Sequence, residues 1–323
     1  MMKKVSGLIF LLTLLLVSLS IEAKETKAVM TKIYSYEKAI KPNLEKMLLK
    51  RNLTYPLSDL YIRIFKHESE LEVWGKNKDS KEFILIKTYK AHNLPYNDID
   101  TTKKDLIKNI LSIPIKREIS EGEIGPKDRI GDSKVPEGYY HVLYHNPWSS
   151  FHLSLALGYP NPADAVRGYN IKRINKKGKE NILNWWSKNI KIIRNECISG
   201  APSIWYDKLA KPLGNQIFIH GSFVTIGCIP IGDKMIEEVF VLTNPEYVGG
   251  TRVDIFPCKY TKINIGKLKK IGEGHPELIK FWLNLKTGYD HFEKTKNIPD
   301  VWVDLKTGEY KYKKGSQENL FKI

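Results

Sequence analysis

The segment Ile219-His220-Gly221-Ser222-Phe223-Val224-Thr225-Ile226-Gly227-Cys228-Ile229-Pro230 sets an imidazole and a thiol eight residues apart, each beside a glycine. A thiol attacks a carbonyl as its thiolate, and an imidazole within hydrogen-bond reach is the usual means of supplying one. The run from Gln216 to His220 reads as a short strand, which leaves His220 at its end and Cys228 beyond a tight loop, so the two can meet. Gly227 permits a backbone conformation that other residues resist, leaving its own N–H and that of Cys228 to face a developing oxyanion. The spacing by itself fits a second reading equally well, with Cys228 a small buried hydrophobe and His220 satisfied in the core. His141 and His145 stand four apart, but in the run that reads as a strand rather than on one face of a helix, and His67, His92, His275 and His291 are isolated, so no metal and no other cofactor is expected.

The elements that must hold these groups are mostly strands. Leu60–Phe65, Leu71–Trp74 and Phe83–Tyr89 are runs of β-branched and aromatic residues separated by turn residues such as those of Gly75–Asp79, the pattern of a β-meander. Tyr139–Tyr144 and Phe151–Leu157 flank an Asn146-Pro147 turn, and Arg252–Phe256 closes the set. His152 alternates with Leu153 and Leu155 and is placed to line the cleft. Residues 91–117 are mixed and partly helical. Between Asp164 and Gly214 the chain turns helical and basic, with Ile182, Leu183, Trp186 and Ile190 on one face. A helix is expected from near Asp233, its carboxylate as cap and Ile236, Val239 and Phe240 as the buried stripe. Ile40, Leu44, Met47 and Leu48 predict a short amphipathic helix around Pro42. Further on, Leu278, Ile279, Trp282 and Leu283 mark a helix over Pro276–Lys286, and Val301–Leu305 with Gly308–Tyr312 resembles a short hairpin.

With 42% hydrophobic and 27% charged residues, the 323-residue chain is a turn-rich globular protein; its 16 Pro and 22 Gly are scattered, which excludes collagenous and low-complexity classes. The net charge of +16 rests on 52 basic residues of which only eight are Arg. Lysine lacks the planar fork that reads phosphates and base edges, and no helix-turn-helix, zinc-finger or stacking-platform pattern accompanies the charge. No nucleic-acid partner is expected. Residues 1–23 combine the basic Met1–Lys4 with the almost wholly apolar Val5–Ser20 and a small Ala23 before Lys24, the makeup of a secretory signal peptide. An uncleaved anchor is the competing reading and the single membrane contact considered. Cys197, Cys228 and Cys258 then meet an oxidising compartment. Three cannot all pair; if Cys228 works as a thiol, Cys197 and Cys258 are bridged, closing a loop of about 60 residues, or buried apart.

The catalytic segment resembles the Ile-His-Gly and Ser/Thr-x-Gly-Cys motif of the L,D-transpeptidase (YkuD-type) family, secreted bacterial cysteine enzymes that act on peptidoglycan. Gly125-Pro126-Lys127 with Gly131-Asp132-Ser133-Lys134-Val135-Pro136-Glu137-Gly138-Tyr139-Tyr140 is similar to the family's Gly-Asp-x-x-Thr-Pro-Glu-Gly-x-Tyr stretch, and Phe151–Leu155 with Gly158-Tyr159-Pro160-Asn161 resembles the strand and turn that follow. The short His–Cys separation, Ile226, and Ile229-Pro230-Ile231 in place of the usual tail match the YafK-like branch, whose members use water as acceptor as well.

The resemblance implies an α+β fold: a β-rich catalytic domain over residues 58–256 with a long insertion at 165–214, a signal peptide at 1–23, a helical lead-in at 24–57 and a C-terminal extension at 257–323. It implies that Cys228 attacks the peptide bond between an L- and a D-centre and forms a thioester, that His220 activates the thiol, and that the Gly221 carbonyl orients the imidazole. Gly227 and Cys228 would supply the oxyanion N–H groups. Tyr140, His152, Ser222 and Thr225 are the candidate substrate-side residues, and Asp132 and Glu137 are expected to shape a turn, a reading that Tyr140 shares. The implied partners are peptidoglycan stem peptides and a wall-attached protein, in the periplasm or cell envelope. The reaction is transpeptidation, by wall cross-linking or protein attachment, or hydrolysis by an L,D-carboxypeptidase or amidase that releases wall-linked material. A non-catalytic wall-binding protein and a thiol peptidase of another family are the rival classes.

Overall fold

Tyr61, Arg63 and Phe65 alternate with Ile62 and Ile64, and all five are buried. A strand buried on both faces needs cover on both, and the two covers come from distant parts of the chain. The computed structural model describes residues 2–91, 124–195, 208–214, 216–223, 225, 227–312 and 320–323, with side chains from residue 26 onward. The mixed stretch expected at 91–117, apart from its first residue, and Cys197 lie outside the described residues, as do the side chains of the expected signal peptide.

The chain opens with helix α1 (Met2–Leu49), whose C-terminal part is the helix expected around Pro42 and which runs through that proline. Strands β1 (Asp59–Phe65), β2 (Glu70–Lys76) and β3 (Ile84–Lys90) form the antiparallel meander. There follow β4 (Gly138–Asn146), β5 (Ser154–Leu157), α2 (Pro162–Asn170) and α3 (Lys176–Asn195). The short β6 (Phe218–His220) and β7 (Ile229–Pro230) flank the His220–Cys228 segment, and α4 (Asp233–Leu242) and the single turn α5 (Pro245–Val248) lead to β8 (Arg252–Phe256). Helices α6 (Lys262–Ile271) and α7 (Pro276–Thr295) and strands β9 (Trp302–Asp304), β10 (Tyr310–Lys311) and β11 (Leu320–Lys322) end the chain. The fold is mixed α+β. One eight-stranded sheet has the order β3-β2-β1-β8-β4-β5-β6-β7, and β9 to β11 make a small sheet in the order β10-β9-β11.

On one face of the large sheet, Ile62, Ile64, Val253 and Ile255 pack with Ile33, Leu44 and Leu48 of α1 and with Ile236, Val239 and Phe240 of α4. On the other face Tyr61 meets Phe292 of α7 at 4.8 Å between ring centroids, and Tyr139 meets Tyr310 of the small sheet at 4.6 Å. Residues 257–323 are therefore the second cover of the sheet. Arg63, on this face, is held by Glu72 at 2.7 Å and by Glu293 of α7 at 2.6 Å.

Two local expectations are corrected. The strand expected from Phe151 begins only at Ser154, because His152 takes a left-handed backbone conformation (φ 74°) that breaks the alternation. The helix at Asp233 starts where expected, but its N-cap is Gly232, without a side-chain cap; the Asp233 carboxylate instead accepts the Ser222 N–H at 2.7 Å. No described helix is long and apolar enough to cross a membrane.

Candidate active site

Strands β6 and β7 run parallel, pairing Ile219 with Ile229 and His220 with Pro230. One step back in that register Phe218 stands beside Cys228. Cys228 immediately precedes β7, and its Sγ lies 3.7 Å from the Gln216 carbonyl oxygen just before β6, the strand that ends in His220. The sequence separation of eight is thus closed by strand pairing.

His220 is buried, and its Nδ1 lies 2.5 Å from the Gly221 carbonyl oxygen. A carbonyl only accepts, so Nδ1 carries the hydrogen and Nε2 of the neutral ring is left as the base. The Phe151 ring lies against the imidazole at 4.6 Å and 31°, fixing its plane. Gly221 has to be glycine: a Cβ there would sit 2.6 Å from both the Phe151 carbonyl oxygen and Asp233 Oδ1. Its N–H donates to Leu153 at 3.0 Å, tying the turn after β6 to the start of β5.

Cys228 is partly exposed, with Sγ 3.7 Å from the Gln216 carbonyl oxygen. Burial pushes its thiol up, against smaller downward pulls from the Phe218 backbone and the Lys127 ammonium. The resting group is a thiol, so use as a nucleophile would require a base to take its proton. Cys258, the other thiol among the described residues, is free and buried; burial and then the Glu68 and Glu137 carboxylates push it up to about 12.

The oxyanion expectation needs correction. Gly227 has φ 130°, and a Cβ there would stand 3.0 Å from the Lys134 carbonyl oxygen. Its N–H, however, donates to Thr225 Oγ1 at 3.0 Å, and the same hydroxyl donates to the Cys228 carbonyl at 2.7 Å. Thr225, expected to touch substrate, here staples the loop, and the Gly227 N–H is occupied by that staple.

The remaining expected residues divide. Ser222 stays near the histidine, held through its backbone by Asp233 and by the Gly232 N–H, which donates to its carbonyl at 3.0 Å. His152 turns to the helical cover, where Nε2 meets Glu237 of α4 at 2.7 Å and the ring meets Tyr36 edge-on at 5.8 Å. Tyr140 is not brought to the surface of the site: it is fully buried, and its hydroxyl donates to the Glu137 carbonyl at 3.1 Å and lies 3.3 Å from Asp164. Asp132 and Glu137 both organise the turn facing Gly227. Asp132 accepts N–H groups of Asp128, Arg129 and Lys134 at 3.0, 3.2 and 3.0 Å and pairs with Lys127. Its burial, which alone would raise the carboxyl, is outweighed by the Lys127 ammonium and these N–H groups, so the carboxyl is held below its usual range.

Phe151, Lys127 and Lys134 were not singled out as site residues from the sequence. Phe151 sat inside a motif that read as strand, and nothing local signals its stacking partner 69 residues away. Among the described residues no group of three or more His, Cys, Asp or Glu is placed to hold a metal ion.

The sequence profile of the YkuD L,D-transpeptidase catalytic domain matches residues 103–255, which hold the Asp132 turn, His220 and Cys228. Over that segment the chain is similar to the L,D-transpeptidase catalytic domain. It is 26% identical over 251 residues to "Putative L,D-transpeptidase YafK" of Escherichia coli (strain K12), covering 76% of this chain and 71% of that protein, and equally to its counterpart in Escherichia coli O157:H7. Among solved structures, the helical cell shape determining protein Pgp2 of Campylobacter jejuni is 15% identical with a TM-score of 0.34, covering 77% of this chain and 74% of that one. A mutant form of Pgp2 gives 16% and 0.34, the match spanning 57% of its chain. Bd1075 of Bdellovibrio bacteriovorus gives 17% and 0.30 and is spanned over 63% of its length.

Proposed function

We propose that this protein is a cysteine acyltransferase of the cell envelope that acts on peptidoglycan stem peptides, with Cys228 as nucleophile and His220 as general base and acid. The observation that carries this reading is the bond from His220 Nδ1–H to the Gly221 carbonyl, which makes Nε2 the basic nitrogen of the neutral ring, on the strand that pairs with the one Cys228 leads into. Nε2 takes that proton as Sγ attacks the carbonyl of an L-centre to D-centre peptide bond. The tetrahedral intermediate collapses to a thioester, and the imidazolium returns its proton to the departing amine. An acceptor amine, or water, then attacks the thioester while His220 accepts the acceptor's proton, and Sγ leaves as thiolate to be reprotonated. The domain family supports the wall peptide as substrate. The apolar run after Met1–Lys4 supports export.

The test is to incubate the protein without residues 1–23 with purified peptidoglycan fragments and to read the products by mass spectrometry. Transfer joins two stems with loss of the terminal D-residue, whereas hydrolysis adds one water across the cut bond. Cys228→Ala is expected to remove both products while leaving the urea unfolding curve in place. Turnover by that variant at the parent rate overturns the reading.

A further inference from the structure

A cavity of about 660 Å³ lies between the 125–134 turn, α2, the first half of α7 and the turn joining β9 to β10. It is distinct from the cysteine, and none of the expected site residues lines it. Its walls are apolar where Pro126, Ile171, Leu278 and Phe281 meet. Its charges are almost all matched. Arg167 is held by Asp164 at 2.5 Å, Asp128 lies 3.8 Å from Arg173, and Glu309 is paired with Lys280 and Lys311. Glu277 stands exposed at the rim beside His275. The exception is Lys134, whose ammonium has no hydrogen-bond or ion-pair partner among the described residues and lies beside Gly125, 3.2 Å from where a side chain on that glycine would begin.

An unmatched ammonium over an apolar wall is complementary to a carboxylate on a short aliphatic body. Lys134 also links the cavity to the chemistry, because its carbonyl is the atom against which Gly227 packs, one residue from the nucleophile. The turn that carries it is fixed by Asp132, which accepts the Lys134 N–H at 3.0 Å.

We infer that this cavity is a binding site for the free terminal carboxylate of a peptide, with Lys134 as the anchoring cation. The inference rests on the proposed function, since it makes the ligand a carboxylate-ended wall peptide. Lys134 thereby becomes a specificity-determining residue that prefers acid-ended over amidated stems.

The experiment measures equilibrium binding to full-length Cys228→Ala protein, so that turnover does not enter. The probes are Nα-acetyl-L-lysyl-D-alanine and its C-terminal amide. The acid is expected to bind at least tenfold more tightly than the amide. Lys134→Gln is expected to lower the acid's affinity to that of the amide, and Lys134→Arg to preserve most of the preference. Thr307→Trp, which obstructs the cavity from the opposite side without touching the 125–134 turn, is expected to weaken both probes. Equal binding of acid and amide, no binding at millimolar probe, or a preference that survives Lys134→Gln each overturns the site. Failure of the parent enzyme to cut wall peptides, with the acid preference intact, counts against the proposed function alone.

Discussion

The two walls that meet at Gly227 are held by different forces. On the turn side, Glu137 is fully buried and takes the Lys66 ammonium at 2.9 Å, the Gly125 N–H at 2.7 Å and the Trp282 indole N–H at 2.8 Å. Lys66, equally buried, also donates to the Gly125 and Val135 carbonyls at 2.9 and 2.8 Å. On the nucleophile side, the loop before Cys228 is held by the Thr225 hydroxyl and by glycines that let backbones approach. A neutral hydrogen bond of this kind contributes about 0.5–1.5 kcal/mol, whereas breaking a buried ion pair costs about 3–5 kcal/mol. A tenfold or greater difference in resistance to displacement follows from a gap of that size.

This contrast is open to attack, most severely through Glu137. Glu137→Ala leaves the Lys66 charge buried and uncompensated, and urea unfolding should show a loss of about 3–5 kcal/mol; a loss under 1 kcal/mol would erase the distinction between the walls. An intermediate effect is expected from pH at Asp132. Its carboxyl is held below the ordinary range in the folded protein, so its contribution is fully present above the unfolded value of about 4 and disappears as pH falls through the lower folded one. The stability gap between parent and Asp132→Asn, followed by urea midpoints from pH 7 to pH 2.5, should therefore be widest near neutrality and shrink on the acid side. A gap that widens in acid contradicts the sign. The smallest change is expected at the staple. Thr225→Val keeps the shape and removes the hydroxyl, so it should cost no more than about 1 kcal/mol while raising the rate at which iodoacetamide labels Cys228 at pH 7. Cys258 should stay unlabelled, since it is buried and its thiol is pushed up to about 12; a stability loss as large as that of Glu137→Ala would place the staple in the rigid wall.

Strands were legible wherever one rule governed a run of residues. Leu60–Phe65 and Arg252–Phe256 are rich in β-branched and aromatic side chains, and both are strands with those bounds to within a residue. Legibility failed where a single residue departs from its run. His152 has one left-handed dihedral, and that reverses which way its ring points. Asp233 was visible as a first-turn acid, but a carboxylate serves any N–H within reach, and the one it takes belongs to Ser222, eleven residues back. Tyr140 carried two readings, turn residue and substrate-side residue, and its hydroxyl, held by the Glu137 carbonyl and Asp164, fits the first. The role of the last 67 residues was invisible for a similar reason. Trp282 showed helical spacing and Phe292 lay beyond the expected helix, and their partners Glu137 and Tyr61 lie 145 and 231 residues earlier.

Strand β8 occupies the middle of the sheet, parallel to β1 on one side and antiparallel to β4 on the other. It also comes last in the chain among the eight strands of that sheet. Until residue 256 has been made, β1–β3 and β4–β7 are two half-sheets whose inner edges present unpaired backbone groups. Such edges are templates for pairing with other chains, and joining them across some 190 residues is a slow, non-local event. A chain cut short before Arg252 would keep both edges exposed for its lifetime. The position of one five-residue strand thus ties the fate of truncated copies to aggregation or proteolysis.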